Sequence, residues 1–161
     1  MSKYKVFLSR ANVVGGYYEE SVERLIQFLN DRDIETVTIG ADHFSNDAPI
    51  DAIKKQMNDC SGVIVLGTPQ ELIKEGIRKP NANGQKDIKN EIHSTVWNQI
   101  EGAMGFCLDL PIMLITDNGI NEGIFEKGVL PILKQEYNLK NSEWIDSNKF
   151  KGALNSFIEQ L

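Results

Sequence analysis

Trp97 and Glu101 stand four residues apart in the segment Trp97-Asn98-Gln99-Ile100-Glu101-Gly102-Ala103-Met104. That spacing stacks two side chains on one face of a helix. A carboxylate set among Ile100, Ala103 and Met104 is a candidate nucleophile, or an anion that steadies a cation forming beside it. It has a plainer reading too, as a surface-edge residue or a cap on nearby backbone, because isolated helix carboxylates are mostly structural or solvated. Trp97 divides the same way, between a ring that stacks on a ligand and a core side chain.

A second cluster follows the first apolar run, in Ser9-Arg10-Ala11-Asn12-Val13-Val14-Gly15-Gly16-Tyr17. Arg10 is a fixed cation, and Gly15-Gly16 lets backbone N–H groups approach an anion where a helix begins. The pattern is neither G-x-G-x-x-G nor a P-loop, and an ordinary turn with a surface arginine has the same sequence. Thr68, after a later apolar run, is placed either to contact a ligand hydroxyl or phosphate or simply to close a strand. His43 and His93 are the only histidines. Neither has a second histidine at ligand spacing, so no metal site is expected. Asp47 reads as a helix cap, and Arg78 and Lys79 as a solvated charge pair or as phosphate contacts.

The elements that must carry these residues alternate. Lys5–Ser9 reads as a buried strand, and Val22, Leu25, Ile26 and Leu29 form a 3.6-residue stripe over Tyr17–Asn30. Glu35–Gly40 is β-branched and ends on glycine. Asp47-Ala48-Pro49 opens a helix bearing Ile50, Ile53 and Met57. Gly62–Gly67 is a continuous apolar run, as in strands covered on both faces. Residues 70–94 break the rhythm. Gln70–Gly76 is predicted to be a short helix and Lys79–Gly84 is loop chemistry, together a lid or long loop. Thr95–Leu108 is predicted to be a helix with Trp97, Ile100, Met104 and Cys107 on one stripe. Pro111–Thr116 is predicted as a strand, Val129–Tyr137 as a short helix and Glu143–Asp146 as a fifth strand. A last helix carries Phe150, Leu154, Phe157, Ile158 and Leu161.

This order predicts a doubly wound α/β fold, flavodoxin-like, with about five parallel strands in the order 2-1-3-4-5 and one domain over 1–161. Such sheets bind ligands beyond the strand C-termini, where strand order reverses. The loops bearing Ser9, Arg10, Thr68 and the segment after the fourth sheet strand fall there.

Composition narrows the class. The 161 residues carry 17 basic and 23 acidic side chains, a net charge of −6. That argues against a duplex-binding surface, which needs a basic stripe. No apolar run reaches the roughly 18 residues that span a bilayer, and the first five residues lack a signal-peptide core. Cys60 and Cys107 lie in apolar stretches and read as buried thiols in a reducing compartment. A cytoplasmic protein without nucleic-acid or membrane partners is the expectation.

Several of these features together resemble a TIR-like domain. They are the opening Val6-Phe7-Leu8-Ser9 with an acidic helix behind it, Asp59-Cys60-Ser61-Gly62-Val63-Ile64-Val65-Leu66, the Trp97-x-x-x-Glu101 pair, and Pro111-Ile112-Met113-Leu114-Ile115 after it. The likeness spans roughly residues 4–117. It implies that Glu101 is the catalytic glutamate that cleaves the nicotinamide–ribose bond of NAD, which is then a substrate rather than a resident cofactor. Nicotinamide leaves as a neutral molecule, so one anion suffices for a bond that breaks through an oxocarbenium-like centre. In that picture Arg10 with Gly15 and Gly16 holds the pyrophosphate, and Trp97 or Tyr17 stacks on a ring. The positive end of the helix favours the ionised form of Glu101. The resemblance also implies a place in bacterial antiphage defence signalling, and it admits a homo-oligomer.

The loop after the first strand and the glycines at 119, 123 and 128 depart from the TIR pattern. Similar folds with a helix-borne glutamate occur in nucleoside deoxyribosyltransferase-like proteins. Two further readings therefore stand beside NAD cleavage. One is another N-glycosidase or base-transferring enzyme on nucleosides or nucleotides. The other is a non-catalytic interaction module in which Glu101 is structural.

Overall fold

The computed structural model describes residues 3–39 and 48–161. Expectations resting on His43, on Asp47 as a cap, and on Gly40 lie outside the described residues. Among the described residues, seven strands and four α-helices follow one another as β1 (Tyr4–Arg10), α1 (Gly16–Asn30), β2 (Ile34–Val37), α2 (Pro49–Asn58), β3 (Gly62–Gly67), β4 (Glu71–Arg78), β5 (Lys86–His93), α3 (Val96–Cys107), β6 (Ile112–Asp117), β7 (Gln135–Tyr137) and α4 (Asn148–Ile158).

Five strands form one parallel sheet in the order β2-β1-β3-β6-β7. With the β4–β5 hairpin set aside, that is the expected order 2-1-3-4-5. Val6 pairs with Gly62 and Arg10 with Leu66, while Val63 pairs with Ile112 and Gly67 with Thr116. Every residue of β3 and β6 is buried, the signature of strands covered on both faces. Alternate side chains divide between two cores. Val6, Leu8, Ile64, Leu66 and Ile115 pack with Val22, Leu25 and Leu29 of α1 and with Phe150, Leu154 and Phe157 of α4. Phe7, Val63, Val65 and Leu114 pack on the other face with Ile53 and Met57 of α2 and Met104 of α3.

Three expected elements take a different form. Residues predicted as a short helix from Gln70 are instead the antiparallel hairpin β4–β5, with Glu71 opposite His93 and Arg78 opposite Lys86. Cross-strand pairing along its whole length supplies the hydrogen bonds that a lone helical turn would leave open. The helix predicted over Val129–Tyr137 is irregular and ends in β7, where Gln135–Tyr137 pairs with Ile115–Asp117. The predicted strand Glu143–Asp146 is a 3₁₀ turn. Its Trp144 stacks on Tyr137 with ring centroids 5.1 Å apart, and its indole N–H donates to Ser21 Oγ at 3.1 Å. Packing against α1 and α4, rather than β-propensity, decides that segment.

The expected pair of buried thiols is half corrected. Cys60 is buried, but Cys107, at the last turn of α3, is exposed. Among the described residues no helix is long and apolar enough to cross a membrane.

Candidate functional site

Helix α3 begins where the sequence places it. Thr95 is its N-cap, and its hydroxyl accepts from Trp97 N at 3.3 Å. The face it turns inward is not the expected stripe. Asn98, Glu101, Gly102 and Gly105 are buried, whereas Trp97 is 40% exposed and Phe106 45%. The two glycines make this possible. A Cβ on Gly105 would come within 2.8 Å of Val63 Cγ2, and one on Gly102 within 2.4 Å of Ile124 Cδ1. The helix backbone thus lies directly on β3, and residues one turn before these glycines are carried over the end of β1.

There Asn98 Nδ2 donates to Ser9 Oγ at 3.0 Å and to the Ser9 carbonyl at 3.3 Å. Ser9 and Asn98 are both fully buried, and Glu101 is 6% exposed. Burial pushes the Glu101 carboxyl up to about 7, with the Ser9 hydroxyl pulling it back the other way. The expected preference of this helix position for the charged form is therefore overturned. Glu101 is the sixth residue of α3, beyond the first turn in which the helix dipole acts strongly, and desolvation outweighs it.

Glu101 shares a cleft of about 460 Å³ with Arg10, Ala11, Asn12, Val13, Gln70 and Trp97, and Ile39, Pro49, Ile53 and Thr95 complete its lining. Arg10 reaches it from the C-terminal end of β1. Its Nη1 donates to Ala11 O at 3.2 Å, and its buried Nε has no partner among the described residues. Gln70 comes from the base of the hairpin, where its Nε2 donates to Val13 O at 3.1 Å and Pro69 O at 3.0 Å.

The structure thus brings three of the expected site residues, Glu101, Arg10 and Trp97, to the cleft wall, while Ser9 is buried outside its lining and bonded to Asn98. Gly15, Gly16, Tyr17 and Thr68 are not among the residues that line it. Gly15 caps α1, Gly16 begins it, and Tyr17 is 76% exposed. Thr68 is buried just past β3, with its hydroxyl unpartnered among the described residues. Sequence reasoning missed Asn98 and Gln70. Asn98 had an available indication, since it is three residues before Glu101 and so shares its face.

Asp117 is the other buried carboxylate among the described residues. It sits at the end of β6, but both its oxygens are engaged. Tyr18 donates its hydroxyl to Oδ2 at 3.0 Å and Leu139 its N–H to Oδ1 at 2.8 Å. Burial first, and then this bond to Asp117, push the Tyr18 phenol up to about 12. Asp117 is a structural tie between α1 and the loop after β7.

The remainder of the hairpin covers different ground. With residues 119–126 it encloses a second cavity of about 810 Å³, lined in part by Arg78, Lys86, Glu91, His93 and Glu122. Arg78 donates to both carboxylate oxygens of Glu91, and His93 Nε2 lies 3.2 Å from one of them. Arg78, then His93, hold Glu91 below the usual carboxylate range. Glu101 takes no part in this cavity's lining.

The architecture has a counterpart among solved structures. The Clostridium botulinum CMP N-glycosidase BcmB matches with a TM-score of 0.54 at 17% identity, over 88% of this chain and 98% of that one. The two chains share a fold. At this identity the likeness speaks for the α/β architecture alone. A flavodiiron core, metal-soaked Flv1 from Synechocystis sp. PCC6803, aligns at a TM-score of 0.47 and 11% identity, over 96% of this chain and 37% of that one. No family model matches the sequence, and no curated protein matches it significantly.

Proposed function

We propose that the chain cleaves the N-glycosidic bond of a nucleotide, acting as one α/β domain over residues 1–161, with Glu101 as its catalytic residue. The observation that carries this reading is the buried carboxylate of Glu101, pushed up to about 7 by desolvation, in a cleft that it shares with the Arg10 guanidinium. A carboxyl held near 7 is available at neutral pH as the anion that attacks or steadies an oxocarbenium-like C1′. Water takes the place of the base at C1′ and supplies the proton with which the base departs, so the cleavage balances as a hydrolysis. Arg10 is the group to bind a phosphate, because its fixed charge and unused N–H donors match phosphate oxygens. Trp97, partly exposed on the cleft wall, offers a face for the base. Asn98, on the same buried face of α3 as Glu101, fixes Ser9 through two hydrogen bonds.

Two substrate classes fit this chemistry. Support for NAD comes from the TIR-like Trp97-x-x-x-Glu101 arrangement, and with NAD the antiphage role goes as a further proposal. Support for a nucleoside monophosphate comes from the single arginine of the cleft, suited to one phosphate, and from the fold shared with a CMP N-glycosidase. A cleft of about 460 Å³ lies within the usual range for small ligands. We favour the monophosphate. Incubation with CMP, UMP, AMP, GMP, NAD and the matching nucleosides, followed by chromatography of the released base, tests the choice. Release of a free base from a monophosphate, with little from its nucleoside or NAD, is the expected pattern. Release of nicotinamide with the monophosphates untouched would move the assignment to NAD, and no release from any of them would favour an interaction module.

A further inference from the structure

We propose that Gln70 reads the base of the substrate, its side-chain carbonyl accepting a hydrogen bond from an exocyclic amino group, so that cytosine or adenine is preferred over uracil or hypoxanthine. The inference deepens the proposed function and rests on it for the identity of the ligand.

Gln70 stands at the foot of the hairpin, where its backbone N–H donates to the His93 carbonyl at 2.9 Å. Its side chain reaches the loop after β1. Nε2 donates to Val13 O at 3.1 Å and to Pro69 O at 3.0 Å. Both partners are backbone carbonyls, which only accept, so the nitrogen belongs on that side. Turning the amide over would set its oxygen against two others. An amide nitrogen carries two hydrogens, and these two bonds use both. The polar atom left over is Oε1, an acceptor with no donor among the described residues, on a side chain that lines the same cleft as Glu101.

The other polar groups of the cleft serve other parts of a nucleotide. In the proposed reading Glu101 acts at C1′, Arg10 holds the phosphate and Trp97 offers a face to the ring. The Thr95 hydroxyl is occupied as the cap of α3. Asn12 is the other amide of the lining, and among the described residues no hydrogen bond fixes it. A loose amide turns to offer either N–H or C=O, so it discriminates little. A pinned amide offers one polarity only. An amino group on the base satisfies Oε1, whereas a carbonyl in its place sets two acceptors against each other, and a site built around one hydrogen bond rejects the analogue that lacks it.

The test compares kcat/KM within two matched pairs, CMP with UMP and AMP with IMP, for wild type and for Gln70→Met, which keeps the length of the side chain without its amide. Wild type is expected to prefer the amino member of at least one pair by about tenfold or more, and Gln70→Met to bring that ratio to within about twofold of unity. Gln70→Ala should give the same collapse. A merely structural role would lower both members together and leave the ratio unchanged. An unchanged ratio in both variants, or a wild type that favours the oxo member or neither, would overturn the inference. Calorimetric binding of the same nucleotides to Glu101→Gln needs no turnover and separates the two failures. Binding that ignores the base would overturn the role of Gln70 alone. Amino-selective binding without cleavage by wild type would contradict the proposed reaction and support Gln70.

Discussion

Gly105 of α3 lies against Val63 of β3 so closely that a Cβ on the glycine would stand 2.8 Å from the valine Cγ2. Valine is stiff at χ1, and Val63 is fully buried in the middle of the sheet, so it has little room to give. This contact sets the height of α3 above the sheet and hence the position of Glu101.

Gly105→Ala is expected to destabilise the protein by about 1 kcal/mol. Overpacking costs about 1–3 kcal/mol, and the better helix propensity of alanine returns about 1. Gly152 of α4 is a control, since a Cβ there meets nothing within 4 Å. Gly152→Ala should stabilise by about 0.5–1 kcal/mol. Urea unfolding of both variants checks the pair, and a gain at Gly105 equal to that at Gly152 would show that α3 is free to lift.

The Glu101 carboxyl links stability to pH. Its value is raised in the folded state, from an ordinary 4.5 to about 7, so the folded protein holds the proton more tightly than the unfolded chain. The contribution of Glu101 to stability is fully present below pH 4.5 and is lost as pH rises through 7. The loss approaches about 3 kcal/mol at 1.36 kcal/mol per pKa unit. Glu101→Gln removes the linkage. Its stability should match wild type near pH 4 and exceed it by up to about 3 kcal/mol at pH 8. Equal stability at both pH values would mean that Glu101 is better solvated than its 6% exposure indicates.

Activity should depend on the same group. With the anion as the acting form, kcat/KM rises with pH, reaches half its plateau near pH 7 and flattens above it. A rate that falls through pH 7 would instead make Glu101 a proton donor to the leaving base.

Arg10 is expected to recognise the phosphate. Arg10→Gln should lower kcat/KM for a nucleotide by about 10- to 150-fold, the equivalent of about 1.5–3 kcal/mol for hydrogen bonds to a charged group. Turnover of the corresponding nucleoside, slow in both proteins, should change little. Steady-state kinetics on a matched nucleotide and nucleoside distinguish this from a general loss of activity.

The sheet could be read from the sequence because its strands are buried on both faces. The continuous run Gly62–Gly67 and the stripe Val22, Leu25, Leu29 are dictated by water, and they fix β1, α1 and β3 with the strand order that follows. The hairpin was illegible for the opposite reason, since Glu71–Arg78 is mostly exposed and its partner strand, not its own pattern, makes it a strand. β7 has only three residues, too few for a period.

The site divides along the same line. Glu101, Trp97, Arg10 and Ser9 stood out by residue type, but the inward face of α3 did not. Its contacts come from two glycines and an asparagine, which no hydrophobic stripe reveals. Trp97, Ile100, Met104 and Cys107 look like the core face, yet the close approach permitted at Gly102 and Gly105 turns the helix toward Asn98 and Glu101 instead. Spacing alone also placed Glu101 in the dipole's favour, whereas its burial is a tertiary fact.

The most direct test of the central claim compares free-base release by wild type and by Glu101→Gln on the best nucleotide of the panel, in enzyme excess and at pH 8, where wild-type Glu101 is ionised. Stoichiometric release of base and sugar phosphate by wild type, with a rate at least about a thousandfold lower in the variant, is the expected result. Equal release by the two proteins would contradict the assignment of Glu101, and no release by wild type would contradict the activity itself.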